Sequence, residues 1–153
     1  MKLFSLLTLF LLFLSACSDK NAFYHFHMSK AQELSEDAML SSKIYKGDIA
    51  DGLVVVLYLN AVLPKEYSKK DSFYVYLYTK STQKSLHFTL NEKEPINVEK
   101  LTRKNHFSNL LSLDAKWAEY YLVEFKHDSS EQLNFKVNDA HFSCNNLTFE
   151  RND

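Results

Sequence analysis

The sequence predicts a mainly β domain, an antiparallel sandwich of about seven or eight short strands, set behind an N-terminal export segment. Three observations carry that prediction. Aromatics are dense, with 12 Phe and 9 Tyr among 153 residues, and such side chains favour pleated, half-buried surfaces. Apolar and polar residues alternate with period two in short runs separated by polar turns. Only Gly47, Gly52, Pro64 and Pro95 punctuate the chain.

The first seventeen residues, MKLFSLLTLFLLFLSAC, stand apart from the rest. Lys2 supplies a positive start, and Leu3 to Leu14 form an apolar run of about a dozen residues. That run suits a secretory signal and falls short of the roughly 20 residues that a spanning helix needs. It ends in Leu14-Ser15-Ala16-Cys17, which resembles the lipobox of bacterial lipoprotein precursors. The resemblance implies export, lipidation of the Cys17 sulfur, cleavage before Cys17 and acylation of the new amino terminus. Two or more acyl chains hold a protein stably at a membrane where one does so only weakly. Ser18 follows. An Asp at that position is associated with inner-membrane retention in many Gram-negative envelopes, so Ser18 points to the outer membrane. The alternative is an ordinary signal peptide whose Cys17 later pairs with Cys144.

With 1–16 removed as signal peptide, 17–28 is expected to be a tether and 29–153 a single domain, long enough to bury a core without disulfides or metals. Removing Lys2 from 18 basic residues leaves 17 against 19 acidic ones. No basic patch tracks a phosphate backbone, so nucleic acid is not expected as a partner. If Cys17 is lipidated, Cys144 is left without an intramolecular partner, and burial is its expected state.

The tether carries Phe23, Tyr24 and Phe26, so part of it is expected to dock on the domain. Ser29 to Leu40 reads as a short helix, with Ala31, Leu34 and Ala38 at helical spacing, Ser29 as N-cap and Glu33 in the first turn. Ser41 to Ile49 reads as a first strand, and Gly47 and Gly52 as bends. Leu53 to Ala61 is apolar on both faces, so it is expected to be central and covered twice. Ser72 to Lys80 alternates and, after a turn at Ser81 to Lys84, pairs with Leu86 to Leu90 as a hairpin. Pro95 opens a short edge-like strand through Ile96 and Val98. Lys100 to Ala118 reads as a short helical or packed irregular crossover. Glu119 to Lys126 and Leu133 to Val137 form a second expected hairpin. A last strand covers His141 to Phe149, and its change of apolar parity predicts a bulge at Asn145-Asn146.

Trp117 followed by Tyr120 and Tyr121 before a strong strand resembles the tyrosine corner of immunoglobulin-like sandwiches, which makes that arrangement the first expectation. The usual inter-sheet cysteine pair is absent.

Tyr74, Tyr76 and Tyr78 form the candidate partner surface, since tyrosine gives rigid contact area with a polar tip. Alternatively that face lies under the Ser29 to Leu40 helix beside Val54, Val56 and Tyr58. His25 and His27 flank Phe26, and His141 stands three residues from Cys144. Neither pair has recognisable zinc spacing. No nucleophile elbow, His-Glu-x-x-His or phosphate loop occurs, so neither catalysis nor a cofactor is expected. Asn146-Leu147-Thr148 is a formal glycosylation sequon, read as incidental. The expected function is a lipid-anchored, non-enzymatic module that binds another envelope or surface protein. The alternative is a small barrel carrying an apolar ligand in a cavity lined by Leu53, Val55, Leu57, Phe73, Val75 and Phe88.

Overall fold

The computed structural model describes residues 28–80, 86–139, 142–144 and 146–151. Cys17, His25, His27, the turn Ser81 to Lys84, His141 and Asn145 lie outside the described residues. Ser29 caps helix α1 (Lys30–Asp37) as expected. Its Oγ accepts from Gln32 N while Gln32 Oε1 accepts from Ser29 N, a reciprocal capping box.

Strands β1 (Met39–Lys46) and β2 (Ile49–Tyr58) follow, then the one-turn helix α2 (Leu59–Val62). The remaining strands are β3 (Lys70–Thr79), β4 (His87–Leu90), β5 (Asn97–Leu101), β6 (Glu119–Lys126), β7 (Gln132–Asp139), β8 (Phe142–Cys144) and β9 (Leu147–Glu150). The expected strand to Ala61 thus stops at Tyr58. Asn60 explains the reversal: its amide donates to the carbonyls of Tyr67 and Lys70, and its Oδ1 accepts from Ser72 N. The two glycines differ in role. Gly47, at φ +60°, opens the tight β1–β2 turn. Gly52 sits beside a bulge, and a Cβ there would overlap the Tyr78 carbonyl, so it allows close approach of β3 rather than a bend.

All strand pairings are antiparallel, along the path β4-β7-β8-β1-β2-β3-β6-β5, with β9 also on β7. The path doubles over at β8. One layer is β1-β2-β3-β6-β5 and the other is β4-β7-β9. Their facing side chains make one core, with Val56, Phe73, Val75 and Val123 from the first layer against Phe88, Leu133, Phe135 and Phe149 from the second. Strands β4 and β5 end the path unpaired with each other, so no barrel closes among the described residues. The six residues expected to line a barrel cavity also divide between two separate clusters. Phe73, Val75 and Phe88 face the core between the layers, whereas Leu53, Val55 and Leu57 face the other side.

That other side is covered as well. Val55, Leu57, Tyr74, Tyr76, Tyr120 and Leu122 pack with Phe107 and Leu111 and, at the margin, with Ala31 and Leu34 of α1. Burial on both faces is why β2 reads as a nearly continuous apolar run. The segment 102–118 supplying Phe107 is a packed series of turns, which corrects the expected helical crossover. Local side chains take up its backbone groups: Asn105 N donates to Ser108 Oγ (2.8 Å) and Phe107 N to Asn105 Oδ1 (2.9 Å).

Neither expected hairpin forms. Strand β3 pairs with β2 and β6 while β4 pairs with β7; β6 pairs with β3 and β5, away from β7. Strands β3 and β4 lie in different layers, and so do β6 and β7. Both members send apolar side chains into the same core from opposite sides, so their alternation looks like that of a hairpin. The pairings on either side of Asn145-Asn146 differ by one residue in register. Asn138 pairs with Ser143 and Phe135 with Leu147, three steps on β7 against four on the returning chain.

Candidate partner-binding surface

Two of the three tyrosines of the stripe are buried. Tyr74 is 1 % exposed and Tyr76 7 %, and Tyr78 is half-buried. Residues directly opposite in an antiparallel pair share a face, and the register sets Val55 against Tyr76 and Leu57 against Tyr74. The stripe therefore lies beside Leu53, Val55 and Leu57, not beside Val54, Val56 and Tyr58 as expected. The Tyr74 ring stands 5.1 Å from Phe107 and stacks on Tyr120, and its hydroxyl accepts from Asn105 Nδ2 at 3.2 Å. Burial raises the pKa of both Tyr74 and Tyr76.

Tyr120 has the local geometry of a tyrosine corner, its hydroxyl accepting from Ala115 N (3.1 Å) and donating to Ala115 O (3.2 Å). It differs in place. The connection it braces joins β5 to β6 within one layer, where a tyrosine corner spans two sheets.

Of the two strands that end the path, β4 and β5, the more exposed is β5. Among the described residues it pairs with β6 alone, and Asn97 to Lys100 are all exposed. Ile96 is 55 % and Val98 44 % exposed, although Val98 lies directly opposite the fully buried Val123. An edge strand presents unpaired backbone donors and acceptors, and two aliphatic side chains beside them add contact area. Lys100 pairs with Glu119 at 2.6 Å and Asn97 Nδ2 donates to Glu124 Oε2 at 3.1 Å, so polar contacts to β6 pin both ends of the strand. Pro95 before it was the sequence signal for this edge.

A second constellation is chemically richer but is structural. Asp71, at the start of β3, is fully buried and accepts from Tyr58 OH (3.0 Å), Arg151 Nη2 (2.9 Å) and Asp128 N (2.7 Å). Asp128 in turn binds Lys93 Nζ (2.8 Å) and the Ser130 hydroxyl, which hold its carboxyl well below the usual carboxylate range. These bonds join β3, the β6–β7 crossing and the end of β9, and so pin the two layers together at one end. The half-exposed His127 stands at the rim of the cluster, its Nδ1 3.5 Å from Asp71 Oδ1. Sequence reading missed it, although a signal existed: Asp71 shares parity with Phe73 and Val75, and a carboxylate on a core face needs partners.

Cys144 is half-buried against the core. Its thiol donates to Val137 O at 3.1 Å, and burial pushes its pKa up. Among the described residues, no three His, Cys, Asp or Glu side chains converge as metal ligands, and no helix is long and apolar enough to cross a membrane.

No protein-family model, curated protein or solved structure matches this chain.

Proposed function

We propose that this chain is a bacterial envelope lipoprotein, lipidated at Cys17, whose domain is a non-enzymatic protein-binding module. The partner is another envelope or surface protein, and Ser18 after the anchoring cysteine favours the outer membrane. The observation that carries the binding reading is the open β5 edge with Ile96 and Val98 exposed, beside strands β2, β3 and β6 that are buried on both faces. Binding is by addition of a partner strand, in which main-chain hydrogen bonds give affinity and side chains give specificity.

The finer fold assignment belongs to the same proposal. Taken in chain order, β2, β3, β4, β5, β6, β7 and β9 give the orders β2-β3-β6-β5 and β4-β7-β9. Those are the orders of the two sheets of a seven-stranded immunoglobulin-like sandwich, with β1 as an added strand. This strand order supports the immunoglobulin-like reading more strongly than the tyrosine motif does.

A photoreactive side chain at Asn97, in cells making the full chain, tests the interface. A discrete adduct that disappears in Val98→Lys is the expected result, since a charge on an edge opposes strand addition. Absence of any adduct, or one indifferent to Val98→Lys, would remove the β5 reading. Cys17→Ser is expected to move the protein from membrane to soluble fractions, and retention in the membrane would refute the anchor.

A further inference from the structure

The covered face of the five-stranded layer has an opening beside α1. A groove of about 420 Å³ runs between α1 and the strip 109–113, with Met39, Leu53 and Val55 among the residues that line it. Its walls are tied together: Gln32 Nε2 donates to Asn109 O (3.0 Å) and Ser35 Oγ to Leu110 O (2.6 Å). Leu110, Leu111 and Leu113 make one wall predominantly apolar, and Glu36 is the one charged residue lining the groove.

We propose that this groove is the docking site of the chain's own preceding segment, with Phe23, Tyr24 and Phe26 as the anchoring side chains. Met28, the first described residue, itself lines the groove and is 43 % exposed there. Phe26 is two residues before it, so its Cα cannot lie more than about 7 Å from that of Met28. Three aromatic residues within four positions thus lead directly to the mouth of an apolar groove. His25 and His27 flank Phe26 and bring ring N–H donors for which Glu36 in the lining is an acceptor. Docking would leave few residues between Cys17 and the domain. The inference does not depend on lipidation, so its failure would leave the anchor reading intact.

The test uses the full chain from Cys17, with Phe23→Ser and Phe26→Ser combined. Native hydrogen exchange at α1 and 109–113 is expected to rise by at least about tenfold while β3 and β6 stay unchanged, because only the groove opens. Unchanged exchange in the groove would overturn the proposal. In a second measurement, a photoreactive phenylalanine at position 26 is expected to crosslink within its own chain to Leu53 or to residues 109–113. Crosslinks to lipid, to a second copy or to another face of the domain would overturn it.

Discussion

Replacing Asp71 with Asn would test whether the buried polar cluster holds the two layers together. The carboxylate is fully buried and receives three donors, Tyr58 OH and Arg151 Nη2 at Oδ1 and Asp128 N at Oδ2. An Asn oriented to keep the first two bonds places its NH₂ against the Asp128 N–H, so one buried hydrogen bond becomes a donor facing a donor. That costs about 1–3 kcal/mol, and the bond kept to Arg151 loses its charge assistance, about 1.5 kcal/mol more. The Arg151 side chain keeps 15 % of its surface in water, which argues for the low end, about 3 kcal/mol in all. With a urea slope of about 1.5 kcal/mol per molar, the unfolding midpoint should fall by about 2 M. Equilibrium urea unfolding followed by circular dichroism would measure it. The double variant Asp71→Asn/Arg151→Gln should be less destabilised than the sum of the single ones, by about 1–2 kcal/mol. A midpoint shift below about 0.5 M, or strict additivity, would refute the assignment of the cluster as the tie between layers.

Three further outcomes are expected. Ser72 Oγ is the one buried side-chain oxygen or nitrogen without a partner among the described residues, so Ser72→Ala should leave stability unchanged or raise it by about 1 kcal/mol; a loss above that in urea unfolding would contradict it. Gly52→Ala should destabilise by at least about 3 kcal/mol, since its Cβ would overlap Tyr78 O and meet Thr79 Cα at 2.8 Å; unfolding midpoints within error of the wild type would show that β2 and β3 can separate freely. Asp128 has a lowered folded-state pKa, so its contribution is full above the unfolded value of about 4 and is lost as pH falls below it. Asp128→Asn should therefore lower stability at neutral pH and flatten its acid dependence, and an unchanged slope of stability between about pH 4 and pH 2 would count against the role of Lys93 and Ser130.

Local features were legible from the residues around them. The Ser29 cap, the central strand covered on both faces, the edge after Pro95 and the parity break near Asn146 each express a short-range rule. A cap needs one hydroxyl at one position, and a bulge shifts alternation by one residue. What the sequence left open was partnership. Period two says that Phe73, Val75 and Leu77 share a face, but the same pattern arises whether the next strand lies beside β3 or across the core from it. Both hairpin expectations failed there, and so did the pairing of the tyrosine stripe with Val54 and Val56, because register decides which parities meet. The cover over Tyr74 came from Phe107 and Leu111, in a segment without periodicity, whose backbone is satisfied by Asn105 and Ser108 rather than by a helix. The tie between Asp71 and Arg151 spans 80 residues, and only the folding of one layer over the other brings them within a hydrogen bond. By itself the sequence determined most of the strands and their apolar faces. The tertiary structure decided which faces meet, which are sealed, and that β5 is an open edge, because those outcomes depend on contacts between segments distant in the chain.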